Sequence, residues 1–365
     1  MSVPARPAVV LAPAVASRHA SGGPSRLLRV MLGAALLCGV GVLQAADLSL
    51  KTMPVGHLSR AYFSERAAHP TPLPLIIALH GGGSNGSMLA RATGLAEIGE
   101  AAGYMVVFPN GTGPAIDART WNSGGCCGYA QLHKVDDVAF LRALIDKLVA
   151  DGQVDRSRVF ITGLSNGGMM AYRMAAEAPE LFKAVAVVSA VLDTPPESIV
   201  KGVPVIHIHG SDDPFIPFLG GVGPREATQT PRLSVARTVE AWVKANGADP
   251  RPELTESADD AGDGTSVRRY TYHNKTDAQA VVLVEIKGGG HNWPGTTAPM
   301  VNAGRASRNL NASRTIVEFF DLHGGAAPDN PPGHPPGDTD GLPPGATPLP
   351  RTTAPVAPGA PPAPR

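Results

Sequence analysis

The segment Gly163-Leu164-Ser165-Asn166-Gly167 places a serine between two glycines at the end of an apolar run. This G-x-S-x-G pattern is typical of a nucleophilic serine held on a sharp turn between a strand and a helix. Glycine is needed at both flanking positions because a side chain would collide with the strand or the helix, and because glycine tolerates positive φ. We therefore predict a strand over residues 159–164, a helix over residues 169–176 and a nucleophilic Ser165.

Such a serine needs a histidine that takes its proton and a carboxylate that orients the histidine. Residues 204–210 resemble a buried strand, and the pattern H-G-x-x-D-x-x-[VI]-P that begins at its end selects Asp213 rather than Asp212 as the acid. His291 follows another predicted strand on a glycine-rich loop, where it is free to reach the serine. The sequence thus predicts a triad of Ser165, His291 and Asp213, with a plain surface histidine as the alternative for His291.

A second glycine-rich turn, His80-Gly81-Gly82-Gly83, follows the predicted central strand 73–79. Backbone N–H groups in such a turn can point at a developing oxyanion because no side chain shields them. The alternative is a plain turn that leads into the helix predicted near residues 88–102.

Two other pairs of titratable residues have simpler explanations than catalysis. Asp136 and Asp137 begin the helix predicted through Val149, where aspartate caps free N–H groups. His207 and His209 share one face of a strand, which admits a metal site, but no third ligand is nearby in the sequence. We therefore predict capping for the aspartates and no metal for the histidines.

The irregular stretch 109–133 contains the adjacent residues Cys126 and Cys127. In an exported protein such a pair can be oxidised. Neighbouring Cα atoms are only ~3.8 Å apart, below the usual disulfide range, so that a vicinal disulfide would form a rigid pocket wall. Two buried thiols are the alternative, and the sequence leaves both open.

The ends of the chain differ in composition from its middle. Residues 1–46 combine arginines, an apolar run over 30–43 and an Ala45-Ala46 site, which predicts a secretory signal; the run is shorter than the ~20 residues of a membrane anchor. Residues 326–365 are rich in proline, glycine and alanine, and we expect disorder there. The formal net charge of +0 favours neither nucleic acid nor an anionic membrane surface.

The remaining residues, 47–325, are predicted to form one domain in which strands and helices alternate. This alternation is typical of an α/β fold with a mostly parallel central sheet and helices on both faces. The predicted strands are an entry hairpin within 47–66 and then 73–79, 104–108, 159–164, 184–191, 204–210, 268–273 and 281–286. The predicted helices are 88–102, 138–149, 169–176, 233–245 and 307–322.

The motifs of this domain are specific in combination, since all of them occur in order along the chain. They are Leu79-His80-Gly81-Gly82, the loop from Trp121-Asn122 to Cys126-Cys127-Gly128, Val135-Asp136-Asp137-Val138, Gly163-Leu164-Ser165-Asn166-Gly167, His209-Gly210-Ser211-Asp212-Asp213 and Gly290-His291-Asn292-Trp293-Pro294. In these motifs residues 50–325 resemble the polyhydroxybutyrate depolymerase and feruloyl esterase family, secreted α/β-hydrolase esterases related to the acetyl xylan esterases. The resemblance implies an α/β-hydrolase fold.

The same resemblance implies a carboxylic ester hydrolase that works through an acyl-enzyme, with no metal or organic cofactor. It also implies that the backbone N–H groups of Gly82 and Asn166 form an oxyanion hole. Gly82 stands where family members with Leu-His-Gly-Cys have cysteine. Because the donor is a backbone amide, glycine can keep this role.

Four residues beside the motifs, Trp121, Trp293, Cys126 and Cys127, are predicted to line the substrate pocket. Either tryptophan could stack on a feruloyl ring or line a polyester groove, with buried packing as the alternative. We expect hydroxycinnamoyl or small soluble esters as substrates, followed by hydroxybutyrate oligomers. A catalytically inactive secreted binding protein and a serine peptidase on the same scaffold are the alternative functions.

Overall fold

The computed structural model describes residues 48–65, 70–226 and 228–324, and the structural statements below concern this part of the chain. The predicted secretory signal and the predicted proline-rich tail lie outside the described residues. Among the described helices, none has both the length and the apolar character needed to cross a membrane.

The described residues form strands and α-helices that alternate along the chain. The strands are β1 (Leu48–Val55), β2 (Leu58–Glu65), β3 (Leu73–Leu79), β4 (Met105–Pro109), β5 (Val154–Leu164), β6 (Ala184–Val188), β7 (Val205–Gly210), β8 (Glu253–Ser257), β9 (Ser266–Tyr272) and β10 (Val281–Lys287). The helices are α1 (Gly86–Thr93), α2 (Leu95–Ala101), α3 (Gly128–Leu132), α4 (Asp137–Ala150), α5 (Asn166–Glu177), α6 (Val235–Ala245) and α7 (Ala312–Leu322).

All of these strands belong to one sheet in the order β1-β2-β4-β3-β5-β6-β7-β10-β9-β8. The six central strands, from β4 to β10 in this order, pair in parallel. The outer pairings on both sides are antiparallel. The predicted mostly parallel sheet is therefore confirmed, and the loops after β3, β5, β7 and β10 emerge at one edge of it.

Helices cover both faces of the sheet. Side chains alternate along each strand, so that each face carries apolar residues that pack against helices. On β3, Leu75 and Ile77 face the core beneath α4, α5 and α6, whereas Ile76 and Ala78 face the core beneath α1, α2 and α7. Every one of these four side chains is fully buried. The two-sided burial explains the nearly continuous apolar runs from which the central strands were predicted.

Several elements differ from the prediction, and three of the differences have a local physical reason. β5 begins at Val154, five residues earlier than predicted. The prediction missed this first part because it is mostly polar and partly exposed and therefore shows no apolar run. The predicted helix 88–102 is two helices, since Gly94 adopts φ 61° and ends α1. The last helix begins only at Ala312, where the side chain of Asn311 accepts a hydrogen bond from the Arg314 amide.

The two aspartates at the start of α4 have different roles. Asp136 is the N-cap and accepts a hydrogen bond from the Ala139 amide at 2.9 Å, as predicted. Capping is wrong for Asp137, which is fully buried and forms an ion pair of 2.6 Å with Arg60 on β2. Its other carboxylate oxygen accepts the backbone N–H of Asn122 at 2.8 Å. Asp137 thus fastens the loop that carries Trp121 and Asn122 to the sheet.

We expect Asp137→Asn to lower the free energy of unfolding by about 3–5 kcal/mol, because the substitution leaves the buried Arg60 charge without a counter-charge. Asp136→Asn is the matched control and should change stability by less than about 0.5 kcal/mol, since asparagine is an equally good cap. Urea denaturation of both variants measures the difference. Equal stabilities of the two variants would contradict the structural role of the ion pair.

Candidate active site

Ser165 lies on the sharp turn between β5 and α5 and adopts φ 55° and ψ −125°. A Cβ atom at Gly163 would overlap the carbonyl oxygen of Gly167, and one at Gly167 would overlap the carbonyl oxygens of Leu79 and His80. The steric need for glycine is therefore confirmed at both positions, although the obstacle at Gly167 is the end of β3 and not the elbow strand or the helix. The Ser165 backbone N–H donates to the carbonyl of Val188 at 2.9 Å, which ties the turn to the end of β6.

Asp213 lies three residues beyond the end of β7 and is buried, with 4% of its surface exposed. One carboxylate oxygen, Oδ1, accepts the backbone N–H groups of Phe215 and Ile216, both at 2.8 Å. The other, Oδ2, accepts Nδ1–H of His291 at 2.7 Å. Burial alone would raise the pKa of Asp213, but the charge on His291 and the hydrogen bonds from histidines outweigh it and hold the pKa well below its usual range.

His291 lies on the loop after β10, and only 2% of its surface is exposed. Because Nδ1 donates to a carboxylate, the neutral ring keeps Nε2 as an acceptor for a proton. Asp212, the acid that the sequence pattern rejected, is exposed and accepts the Ser211 hydroxyl instead. The structure therefore brings Asp213 and His291 into direct contact.

The elbow and the histidine loop are linked through the end of β6, which lies between β5 and β7 in the sheet. Val188 binds the Ser165 amide, as described above, and the hydroxyl of the next residue, Ser189, donates to the carbonyl of Asn292 at 3.4 Å. Ser165 and His291 thus belong to loops fastened to the same strand end. The three residues lie on loops that follow β5, β7 and β10 at the same edge of the sheet.

The His80–Gly83 loop lies against the elbow. A Cβ atom built on Gly81 would lie 3.5 Å from Cβ of Ser165, and one built on Gly82 would lie 3.8 Å from Cβ of Asn166. Asn166 is the first residue of α5, and the first N–H groups of a helix have no carbonyl partner within the helix. The two predicted oxyanion donors, the amides of Gly82 and Asn166, are therefore neighbours.

His80, to which the sequence analysis gave no role, holds this loop in one orientation. It is fully buried, its Nδ1–H donates to the carbonyl of Gly81 at 2.8 Å, and its Nε2 accepts the Gly111 amide at 2.9 Å. The Gly81 carbonyl and the Gly82 N–H belong to one trans peptide and point in opposite directions. By fixing the direction of the Gly81 carbonyl, His80 also fixes the direction of the Gly82 N–H.

Burial is the main reason why the pKa of His80 falls from its ordinary 6.5 to about 4. The unfolded chain therefore binds a proton at this residue between pH 6.5 and about 4, whereas the folded protein does not. By linkage, the stability that a neutral His80 contributes is complete above pH 6.5 and is lost as the pH falls towards 4.

We expect His80→Asn to flatten the acid dependence of stability. From pH 7 to about pH 4.5, the wild-type free energy of unfolding should fall by about 2–3 kcal/mol more than that of the variant. Urea denaturation at the two pH values measures the decrease in the free energy of unfolding for each protein. Contributions from other titrating groups cancel when the two decreases are compared. Equal falls for the two proteins would show that His80 is not the titrating group.

The side chain of Asn166 holds the loop that contains the cysteines. Its Oδ1 accepts the Trp121 amide at 2.7 Å, and its Nδ2 donates to the Trp121 carbonyl at 2.9 Å and to Sγ of Cys127 at 3.4 Å. Cys126 and Cys127 are joined by a disulfide, which was one of the two possibilities left open by the sequence. Cys126 is buried and Cys127 is half-buried, so that this disulfide lies directly beside the elbow.

The prediction that Trp121 and Trp293 contact substrate is wrong, because both rings are buried. Trp121 is fully buried, stacks on Phe140 and donates its indole N–H to the His80 carbonyl at 3.0 Å. Trp293 is 3% exposed and donates its indole N–H to the Ser313 hydroxyl of α7 at 3.0 Å. Each ring packs in the core and leaves no face for a ligand.

Phe215 is an aromatic residue beside the site that the sequence analysis missed. Its ring is half-buried, and its centroid lies 5.1 Å from that of His291. It lies within the H-G-x-x-D-x-x-[VI]-P pattern, two residues after the acid, at one of the variable positions of that pattern. The motif thus indicated its location but not its contact with the histidine.

A buried ion network beside the disulfide loop was also missed. Arg232 is 7% exposed and forms ion pairs of 2.7 Å with both Asp193 and Glu226. Asp193 also accepts the Ser123 hydroxyl at 2.9 Å. These residues lie far apart in the sequence and match no motif, so that no sequence pattern indicates the network.

Both ring nitrogens of His207 and of His209 take part in hydrogen bonds with neighbouring protein groups. No group of three or more histidine, cysteine, aspartate or glutamate side chains in the described part of the chain is arranged to hold a metal ion.

Comparisons with known proteins agree with this geometry. A model of the prolyl oligopeptidase family matches residues 82–196, which include the elbow. The protein named Putative esterase NocK from Nocardia uniformis subsp. tsuyamanensis is 35% identical over 264 residues, 69% of this chain and 75% of its own. Feruloyl esterase C from Emericella nidulans is 30% identical over 203 residues, 54% of this chain, and the match spans 63% of that enzyme.

Among solved structures, an acetyl xylan esterase from Aspergillus awamori matches 75% of this chain and 99% of its own, with a TM-score of 0.51 and 19% identity. This similarity shows the fold. The sheet, the elbow and the Asp213–His291 pair define an α/β-hydrolase. The chain belongs to the same esterase family as the Nocardia protein, and it is a carboxylic ester hydrolase.

Proposed function

We propose that the protein is a secreted serine esterase whose catalytic residues are Ser165, His291 and Asp213. The observation that carries this proposal is the 2.7 Å hydrogen bond between His291 Nδ1 and a buried, charged Asp213 at the sheet edge where the elbow presents Ser165. A histidine in this environment is oriented and ready to accept a proton at Nε2.

In the first half of the reaction, the Ser165 hydroxyl attacks the ester carbonyl while Nε2 of His291 takes its proton. The carboxylate of Asp213 stabilises the imidazolium that forms. When the tetrahedral intermediate collapses, the bond to the alcohol breaks, and the alcohol leaves with the proton from His291. In the second half, water attacks the acyl-enzyme by the same route and releases the acid and free Ser165.

The oxyanion of each intermediate is stabilised by the backbone N–H groups of Gly82 and Asn166. One such donor is worth roughly 100- to 1,000-fold in rate. The contacts of His80 with Gly81 and of Asn166 with Trp121 support this assignment, because they hold both donors in place before the substrate arrives.

For the substrate, we propose hydroxycinnamoyl or other small soluble esters, with hydroxybutyrate oligomers as the second choice. Feruloyl esterases are among the relatives, and the half-buried ring of Phe215 beside His291 offers a face for an aromatic acyl group. The rigid Cys126–Cys127 disulfide is the proposed pocket wall on the other side of the elbow. No metal or organic cofactor takes part in this mechanism.

Export is supported by two independent features. Residues 1–46 have the composition of a secretory signal. The disulfide between Cys126 and Cys127 is of the kind that persists in oxidising compartments.

We expect Ser165→Ala to reduce kcat for p-nitrophenyl acetate by about 10⁴-fold or more while the fold is retained, since the nucleophile is lost. Ser157→Ala, at the opposite end of the same strand, is the matched control and should keep wild-type activity. An organophosphate should label the wild type and the control but not Ser165→Ala. A folded, unlabelled wild type would favour the binding protein, and faster cleavage of peptide p-nitroanilides than of esters would favour the peptidase.

We expect Phe215→Leu to lower kcat/KM for methyl ferulate by roughly 3- to 10-fold, the value of one aromatic pair. The same variant should keep its kcat/KM for p-nitrophenyl acetate within about twofold, so that the aliphatic acyl group serves as the internal control. Hydroxybutyrate dimer completes the series. A wild-type preference for the dimer over methyl ferulate would replace the first substrate class by the second.

A further inference from the structure

A chain of buried polar side chains runs from the core to the far side of Asp213. His209, near the end of β7, is 1% exposed, and its Nε2 lies 2.8 Å from the carbonyl oxygen of Ile216 and 3.4 Å from Oδ2 of Asp213. Oδ2 is also the atom that accepts Nδ1–H of His291. The same carboxylate oxygen therefore lies between two imidazole rings.

The chain continues away from the site through two further residues. Nδ1 of His209 lies 3.1 Å from Nε2 of His207, and Nδ1 of His207 lies 2.6 Å from the hydroxyl of Tyr172 on α5. The two imidazoles are nearly parallel, with centroids 5.2 Å apart. His207 and Tyr172 are fully buried, so that each link replaces a hydrogen bond to water.

The position of every proton in this chain follows from one acceptor. A carbonyl oxygen can only accept, so Nε2 of His209 must carry the hydrogen that points to Ile216 and Asp213. In a neutral His209, Nδ1 then accepts from Nε2–H of His207. In turn, Nδ1 of His207 accepts the hydroxyl hydrogen of Tyr172. Burial lowers the pKa of His207 and raises that of Tyr172, which agrees with both groups being neutral.

We propose that His209 is a positioning residue for the triad and that His207 and Tyr172 hold its ring in the tautomer that donates to Asp213. This proposal rests on the proposed esterase function. Two backbone amides already fix Oδ1 of Asp213. Nε2–H of His209 donates to the Ile216 carbonyl, and because Nε2 lies 3.4 Å from Oδ2, it also favours the side on which Oδ2 lies. The carboxylate therefore has one orientation, the one in which Oδ2 faces His291.

The loss of the Tyr172 hydroxyl would affect the tautomers of both histidines, because the three side chains are linked by hydrogen bonds. Without the hydroxyl, Nδ1 of His207 has lost its donor, so that the other tautomer of His207 becomes less unfavourable than it is in the wild type. That tautomer presents a lone pair to Nδ1 of His209. His209 would respond by carrying its hydrogen on Nδ1, which turns a lone pair of Nε2 towards the Ile216 carbonyl and Asp213.

The test compares His209→Met with His209→Gln. Methionine has a similar length and no N–H, whereas the glutamine amide can place an N–H near the position of Nε2. We expect His209→Met to lower kcat for p-nitrophenyl acetate by roughly 10- to 100-fold, the cost typical of a misplaced catalytic group, with KM within about twofold. Organophosphate labelling of Ser165 should slow by the same factor, and His209→Gln should recover most of both losses.

Two further variants complete the experiment. His323→Gln is the control and should behave as the wild type. The His323 ring forms hydrogen bonds with Phe319 and Asp277 and does not belong to the hydrogen-bonded chain that leads to Asp213. Tyr172→Phe removes a single oxygen atom and should lower kcat and labelling in the same direction as His209→Met. It is the deciding variant if His209→Met does not fold. The low-field proton resonance of the His291–Asp213 hydrogen bond should shift in Tyr172→Phe and not in His323→Gln.

The outcomes separate this proposal from the proposed function. Wild-type kcat and labelling in a folded His209→Met or Tyr172→Phe variant would overturn the positioning role, while labelling of the wild-type Ser165 would keep the esterase mechanism. Equal losses in His209→Gln and His209→Met would show that the ring fills space and does not act as a donor. A wild type that is neither labelled nor active would overturn both proposals.

Discussion

The close contact between the nucleophile elbow and the end of β3 is the constraint on which the site depends. Because Gly167 has no side chain, the start of α5 packs directly against the carbonyl groups of Leu79 and His80. The next residues of the chain, Gly81 and Gly82, therefore lie against Ser165 and Asn166. One missing Cβ atom brings together the turn that carries the proposed nucleophile and the turn that carries a proposed oxyanion donor.

Buried carboxylates fasten the remaining loops to this scaffold, and their electrostatic environments differ in a useful way. Burial raises the pKa of Asp137 and of Asp193, even though each is paired with an arginine. Only Asp213 among these three has a lowered pKa, because the charge on His291 and the hydrogen bonds from His209 and His291 outweigh its burial. The acid that must stay charged beside His291 is the one with the most donors.

Apolar runs predicted the central strands because both faces of those strands are buried, and the glycines at 163 and 167 predicted the elbow because only glycine fits there. Motifs also selected Asp213 over Asp212. Sequence could not assign Trp121 and Trp293, since an aromatic residue in a loop gives no indication of which side of the loop faces the core. The roles of His80 and His209 depend on hydrogen bonds to Gly111 and Ile216, which no sequence pattern encodes.

Asn166 has two functions that natural variation would have to change together. Its backbone amide is the proposed oxyanion donor, and its side chain forms hydrogen bonds with both the N–H and the carbonyl of Trp121 at the start of the disulfide loop. Any remodelling of that loop would disturb the proposed oxyanion hole. The loop between Asp213 and Arg232 makes no such contact with Asn166 in the described structure, so that sequence changes in that loop would leave the proposed oxyanion donor undisturbed.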